Sequence, residues 1–140
     1  MKKKIKKKEM PDPIPPRILK IFDPIFRQRI WVLLNHDDKS YARFLNRQKI
    51  KDISKEIGNF AGFTAVVECE NGLHDYLILL KHFNWCIKDQ GTLIHEITHA
   101  VIRIFEGNNI PFNSDTQEFI AHSITGLYET IAQKLLVLKK

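Results

Sequence analysis

The order of apolar and polar positions divides this chain into a short series of elements. Residues 26–35, FRQRIWVLLN, are apolar and β-branched enough to predict a strand. Residues 37–49, DDKSYARFLNRQK, begin with acids suited to a helix N-terminus, and Tyr41, Phe44, Leu45 and Gln48 recur at helical spacing. FTAVVECE (63–70) and DYLILLKHF (75–83) read as two further strands, and the Asn71-Gly72 turn signal between them predicts a hairpin. A helix is expected from Thr92 to Glu106 with Gly107 as its C-terminal cap, followed by the loop NNIPFNS. A last helix should start near Ser114, capped by its hydroxyl with Gln117 in the capping-box position, and run almost to the C-terminus.

Strand, helix, strand, strand, helix, helix predicts an α+β domain with a small mixed or mainly antiparallel sheet and two packed C-terminal helices. Pro11, Pro13, Pro15 and Pro16 predict an extended connector, so residues 1–16 read as a basic, proline-rich tail and residues 17–140 as one folded domain. A length of 140 residues suits a single core.

Charge changes this picture only at the N-terminus. Six of the 22 Lys and Arg residues fall in MKKKIKKK, which leaves a body with 16 basic and 16 acidic side chains. The body is neutral, and nothing in it interleaves basic and aromatic residues as a nucleic-acid reader would. Lys2–Lys8 could make weak, nonspecific contact with nucleic acid or an anionic surface. No apolar run reaches the length of a signal-peptide core or a membrane span. Cys69 and Cys86 read as reduced core residues, which implies a cytoplasmic location. Trp31, Trp85 and the nine phenylalanines are expected in the core, and Arg103 at the surface.

The candidate chemistry lies in GTLIHEITHAVIRIFEG, residues 91–107. Residues four apart on a helix stand above one another, so His95 and His99 can direct both imidazoles at one metal ion about 2 Å away. Glu96 lies about 100° round the helix from His95, where a carboxylate can accept a proton from water without ligating the metal. The alternative is an ordinary buried helix whose histidines are satisfied within the core.

A third ligand is sought on the last helix, where Glu118, His122, Thr125 and Glu129 form one polar stripe. Glu118 is favoured, His122 is either the ligand or a group that orients one, and Asp115 suits a helix N-terminus. His122, Tyr128 and His82 are candidates to stabilise an oxyanion. His74 and His82 otherwise read as turn or strand-end histidines.

His95, Glu96, His99 and Glu118, in HEITH and TQEFIAH, resemble the zincin metallopeptidases, and within them the gluzincin pattern of H-E-x-x-H followed about twenty residues later by a glutamate. The resemblance covers about residues 75–130. It implies a minimal zincin-like fold with an edge strand before the motif helix, Zn2+ held by His95, His99 and Glu118, and Glu96 as general base. Where many gluzincins have an aspartate four residues after the ligand glutamate, this chain has His122. In size and layout the chain also looks like small zincin-like proteins of phage and prophage regions.

The expected function is therefore a zinc metallopeptidase acting on a peptide or protein, the substrate lying extended along the 75–83 strand. Two other readings are a zincin-fold binding or assembly protein without turnover, and a protease of nucleic-acid-bound proteins tethered by the lysines, as in SprT-like proteins. The latter generally use a third histidine.

Overall fold

The computed structural model describes residues 14–50, 61–68 and 73–137. The lysine tail, Cys69 and the Asn71-Gly72 turn lie outside the described residues. The class is α+β, with a four-stranded mixed sheet and, among the described residues, three helices. The elements are β1 (Arg17–Phe22), β2 (Arg29–Leu34), α1 (Asp38–Arg47), β3 (Gly62–Glu68), β4 (His74–Leu80), α2 (Ile87–Gly107) and α3 (Gln117–Val137).

Strand order across the sheet is β1-β2-β4-β3. β1 and β2 pair antiparallel, β2 and β4 parallel, and β4 and β3 antiparallel. The two central strands, RIWVLL and HDYLILL, are buried nearly throughout because both of their faces are covered. On one face Trp31, Leu33, Leu77 and Leu79 pack against Tyr41, Phe44 and Leu45 of α1. On the other, Ile30, Val32, Ile78 and Leu80 meet Leu93, Ile97 and Ile104 of α2, with Leu127 and Ile131 of α3. The sheet is thus sandwiched, with α1 on one side and the α2–α3 pair on the other.

β1 was not anticipated, since ILKIFD is short and begins just after the prolines. Its turn into β2 is built on Asp23, whose carboxylate accepts from the backbone N–H groups of Ile25 (3.0 Å), Phe26 (2.7 Å) and Gln28 (2.6 Å). Asp23-Pro24 is a recognisable turn start, so the signal was present. Ile14 is already buried in the core, ahead of the expected domain start at Arg17. α2 begins at Ile87, earlier than Thr92. α3 begins at Gln117, and the turn before it is organised by Asn113, whose side chain accepts from the N–H groups of Asp115 and Thr116, in place of the expected Ser114 cap.

Three further expectations are corrected. Cys86 is exposed at the start of α2 and is not a core residue. Phe22, Phe112 and Phe119 are exposed, whereas Trp31 is buried and Trp85 is half-buried against Phe83 and Tyr128. Arg103 is exposed, as expected. No helix among the described residues is long and apolar enough to cross a membrane.

One buried charge ties β2 to β4. Asp75 is 4% exposed, and its carboxylate accepts from Arg29 Nε at 2.7 Å and Trp31 Nε1 at 2.9 Å. Asp75→Ala leaves a buried indole N–H without its acceptor and removes the counter-ion of Arg29. We expect a loss of about 1–3 kcal/mol in urea unfolding, whereas Asp75→Asn should lose less because it keeps an acceptor oxygen.

Candidate metal centre

The orientation of α2 is set by its apolar stripe. Leu93, Ile97, Ala100, Val101 and Ile104 are all buried against the sheet and α3. At 100° per residue that stripe turns positions 95 and 99 to the opposite side of the helix. His95 and His99 are accordingly exposed, with ring centroids 4.6 Å apart and Nε2 atoms only 3.1 Å apart. Two nitrogens each about 2.0–2.1 Å from a tetrahedral zinc ion stand about 3.3 Å apart. The separation is that of a hydrogen bond between the two rings and is also close to one edge of such a site, and neutral imidazoles are donors that suit zinc. The buried-histidine alternative does not describe these residues, because both rings face outward.

Glu96, one position round the helix, is buried at 6% exposure and faces the edge strand β3. The Thr64 hydroxyl lies within hydrogen-bonding distance of the Glu96 carboxylate and, at 3.1 Å, of the Glu96 carbonyl oxygen. The approach is possible because position 62 lacks a side chain. A Cβ there would stand 2.9 Å from Glu96 Cγ, 3.0 Å from Thr92 Cγ2 and 3.1 Å from Leu80 Cδ2. Gly62 and Thr64 share the face of β3 that meets α2, while Phe63 and Ala65 pack on the α1 side. Neither Gly62 nor Thr64 was singled out in the sequence. FTAVVECE was legible as a strand, but its partner on α2 was not.

Glu118 lies at the exposed start of α3. The Tyr128 hydroxyl is 3.4 Å from Gln90 Oε1 at the start of α2, so the two helices run antiparallel with Tyr128 level with Gln90. Glu118 is not gathered with the histidine pair: among the described residues no three His, Cys, Asp or Glu side chains cluster closely enough to hold a metal ion. His122 is exposed one turn further along.

The other candidates are placed elsewhere. Tyr128 points its hydroxyl at Gln90 and its ring edge-on to Trp85. His82 is exposed in the loop after β4 and lines a cavity with His36 and Asp37 that includes neither motif histidine. His74 opens β4 at the rim of another cavity, of about 850 Å³, below the C-terminal end of α2. Neither of these two cavities contains His95, Glu96, His99 or Glu118.

The expected docking strand is also corrected. β4 has β2 on one side and β3 on the other, so neither of its edges can accept a peptide. Among the described residues β3 is paired on one side only, and it is the strand that touches Glu96.

No family model, no curated protein and no solved structure significantly matches this chain.

The close approach at position 62 gives a direct check on this geometry. Gly62→Ala should destabilise the fold by about 1–3 kcal/mol in thermal or urea unfolding, because the new methyl must displace Glu96, Thr92 and Leu80 together. Gly91→Ala, where the added methyl meets nothing within 4 Å, should leave stability unchanged or slightly raised.

Proposed function

We propose that this chain is a metal-dependent peptidase in which His95, His99 and Glu118 hold one zinc ion. The observation that carries the reading is the outward-facing imidazole pair, with Nε2 atoms 3.1 Å apart, next to a carboxylate held against a free strand edge. Zinc bound there supplies Lewis acidity, which makes water a competent nucleophile near neutral pH and polarises a carbonyl. Glu96 is the general base: it takes a proton from the attacking water and passes it to the departing amine. The β3 edge is where an extended peptide would add as a further strand, bringing its backbone alongside Glu96. Glu118 is exposed, so its side chain can reorient without repacking the core.

One observation favours a second reading, a zinc-holding protein without turnover. The Glu96 carboxylate is buried and already bonded to Thr64, which limits its freedom to exchange protons with water.

The experiment is metal analysis paired with proteolysis of a labelled casein. After loading with zinc and desalting, the wild type should carry about one zinc per chain, and His95→Ala should carry almost none. Glu118→Ala should lose most of the bound zinc while His122→Ala keeps it. Glu96→Gln should retain the metal and lose activity by about 100-fold or more. Absence of zinc from the loaded wild type would sink the metal reading. Full zinc with no cleavage in the wild type would favour the second reading.

A further inference from the structure

α2 and β3 run side by side in one direction. Gly62 meets Thr92 and Glu96, Thr64 meets Glu96, and Val66 lines the same cavity as Arg103. Gly62, Thr64 and Val66 alternate along one face of the strand, the face turned toward α2. Arg103 follows Glu96 by seven residues. That is about two helical turns, so Arg103 returns to within about 20° of the same side of α2 and stands about 10 Å further along. The side of the helix that gives β3 a carboxylate at Glu96 thus gives it a guanidinium near the strand's other end.

The cavity there has a volume of about 850 Å³. Apolar surface is left uncovered in its walls, where Val66 is 41% exposed and Leu73 65%. Three guanidiniums line it, from Arg27, Arg29 and Arg103, against two carboxylates, from Asp75 and Glu106. Arg29 and Asp75 are paired with each other at 2.7 Å. Arg27 and Arg103 are exposed, and neither forms an ion pair among the described residues. With the buried pair set aside, two arginines face one glutamate, and the balance is positive. Glu68, the next residue of β3 on the same face, is exposed and is not part of the lining.

A peptide adding to the outer edge of β3 would bring these features into one path. Antiparallel pairing is the more stable mode, and in it the side chains opposite Thr64 and Val66 share one face, two residues apart. The first stands beside Glu96. The second reaches the cavity, where Arg103 offers a planar fork of donors matched to a carboxylate. We propose that Arg103 selects peptides with an aspartate or glutamate two residues N-terminal to the residue beside Glu96. The proposal deepens the peptidase reading and rests on its docking edge, β3, but it needs neither bound metal nor turnover.

The test is fluorescence anisotropy of labelled octapeptides with the full-length protein, chelator present. The peptides share one uncharged, strand-forming sequence and carry glutamate, glutamine or lysine at a single central position. The wild type should bind the glutamate peptide about fivefold more tightly than the glutamine peptide, the scale of one exposed ion pair. Arg103→Gln should abolish that preference, and Arg103→Glu should reverse it in favour of lysine. Lys88→Glu changes the net charge as much at the far end of α2 and should leave the glutamate preference intact. With zinc restored, any cut should fall C-terminal to the glutamate at one fixed spacing. Absent or equal binding of the three peptides overturns the proposal. So does a glutamate preference that survives Arg103→Glu or disappears in Lys88→Glu, or a cut N-terminal to the glutamate. A glutamate preference without cleavage sustains the proposal and counts against the peptidase reading alone. Casein cleavage without that preference does the reverse.

Discussion

The rotation of α2 about its own axis governs everything else that this molecule offers chemically. Leu93, Ile97, Ala100 and Ile104 must face the sheet, and a helix cannot bury that stripe without committing every other position. His95 and His99 are therefore turned outward and Glu96 sideways into β3. The different settings of the two imidazoles and the carboxylate follow from packing alone. Methyl-scale contact at Gly62 then sets how closely the carboxylate approaches the strand.

The same sheet also leaves a recess away from the histidine pair. β2 and β4 run parallel, and the chain leaves β2 for α1 on one face of the sheet and β4 for α2 on the other. The gap this leaves is closed at its rim by Asn35, a residue type that tolerates positive φ and can still form several hydrogen bonds. At one point on the sheet a helix face presents donors to open solvent. At the other, two loops enclose a recess.

Much of this architecture could be read from local pattern. The α1 residues Tyr41, Phe44 and Leu45 are spaced helically and are buried as that spacing requires. Strand β2 lies within the apolar run that predicts it, β3 and β4 each begin one residue before theirs, and His95 and His99 converge because residues four apart on a helix must. What stayed hidden was relational. Strand order cannot be inferred from a strand's own residues, so β4 was given a free edge that belongs to β3. The length of LILL, apolar on both sides of the alternation, was in retrospect the sign of an interior strand. Thr64 and Gly62 carried no signal because their significance comes from Glu96, 32 and 34 positions away.

The setting of the histidine pair bears on what kind of substrate it would serve. A small molecule is usually held by enclosure, with most of its surface buried and a few polar groups fixing its orientation. His95 and His99 line neither of the cavities described above, and both are exposed. A polymer needs none, since a strand edge supplies repeated main-chain hydrogen bonds and can hold an extended chain on an open surface. β3 has such an edge, and Val66, on the same face as Gly62 and Thr64, is 41% exposed beside it. On the proposed reading, an exposed histidine pair next to a strand whose outer edge is unpaired among the described residues favours a peptide over a small metabolite. The Thr64 hydroxyl that contacts Glu96 belongs to the same strand, so on the proposed reading a peptide adding to β3 would lie against the strand that restrains that carboxylate.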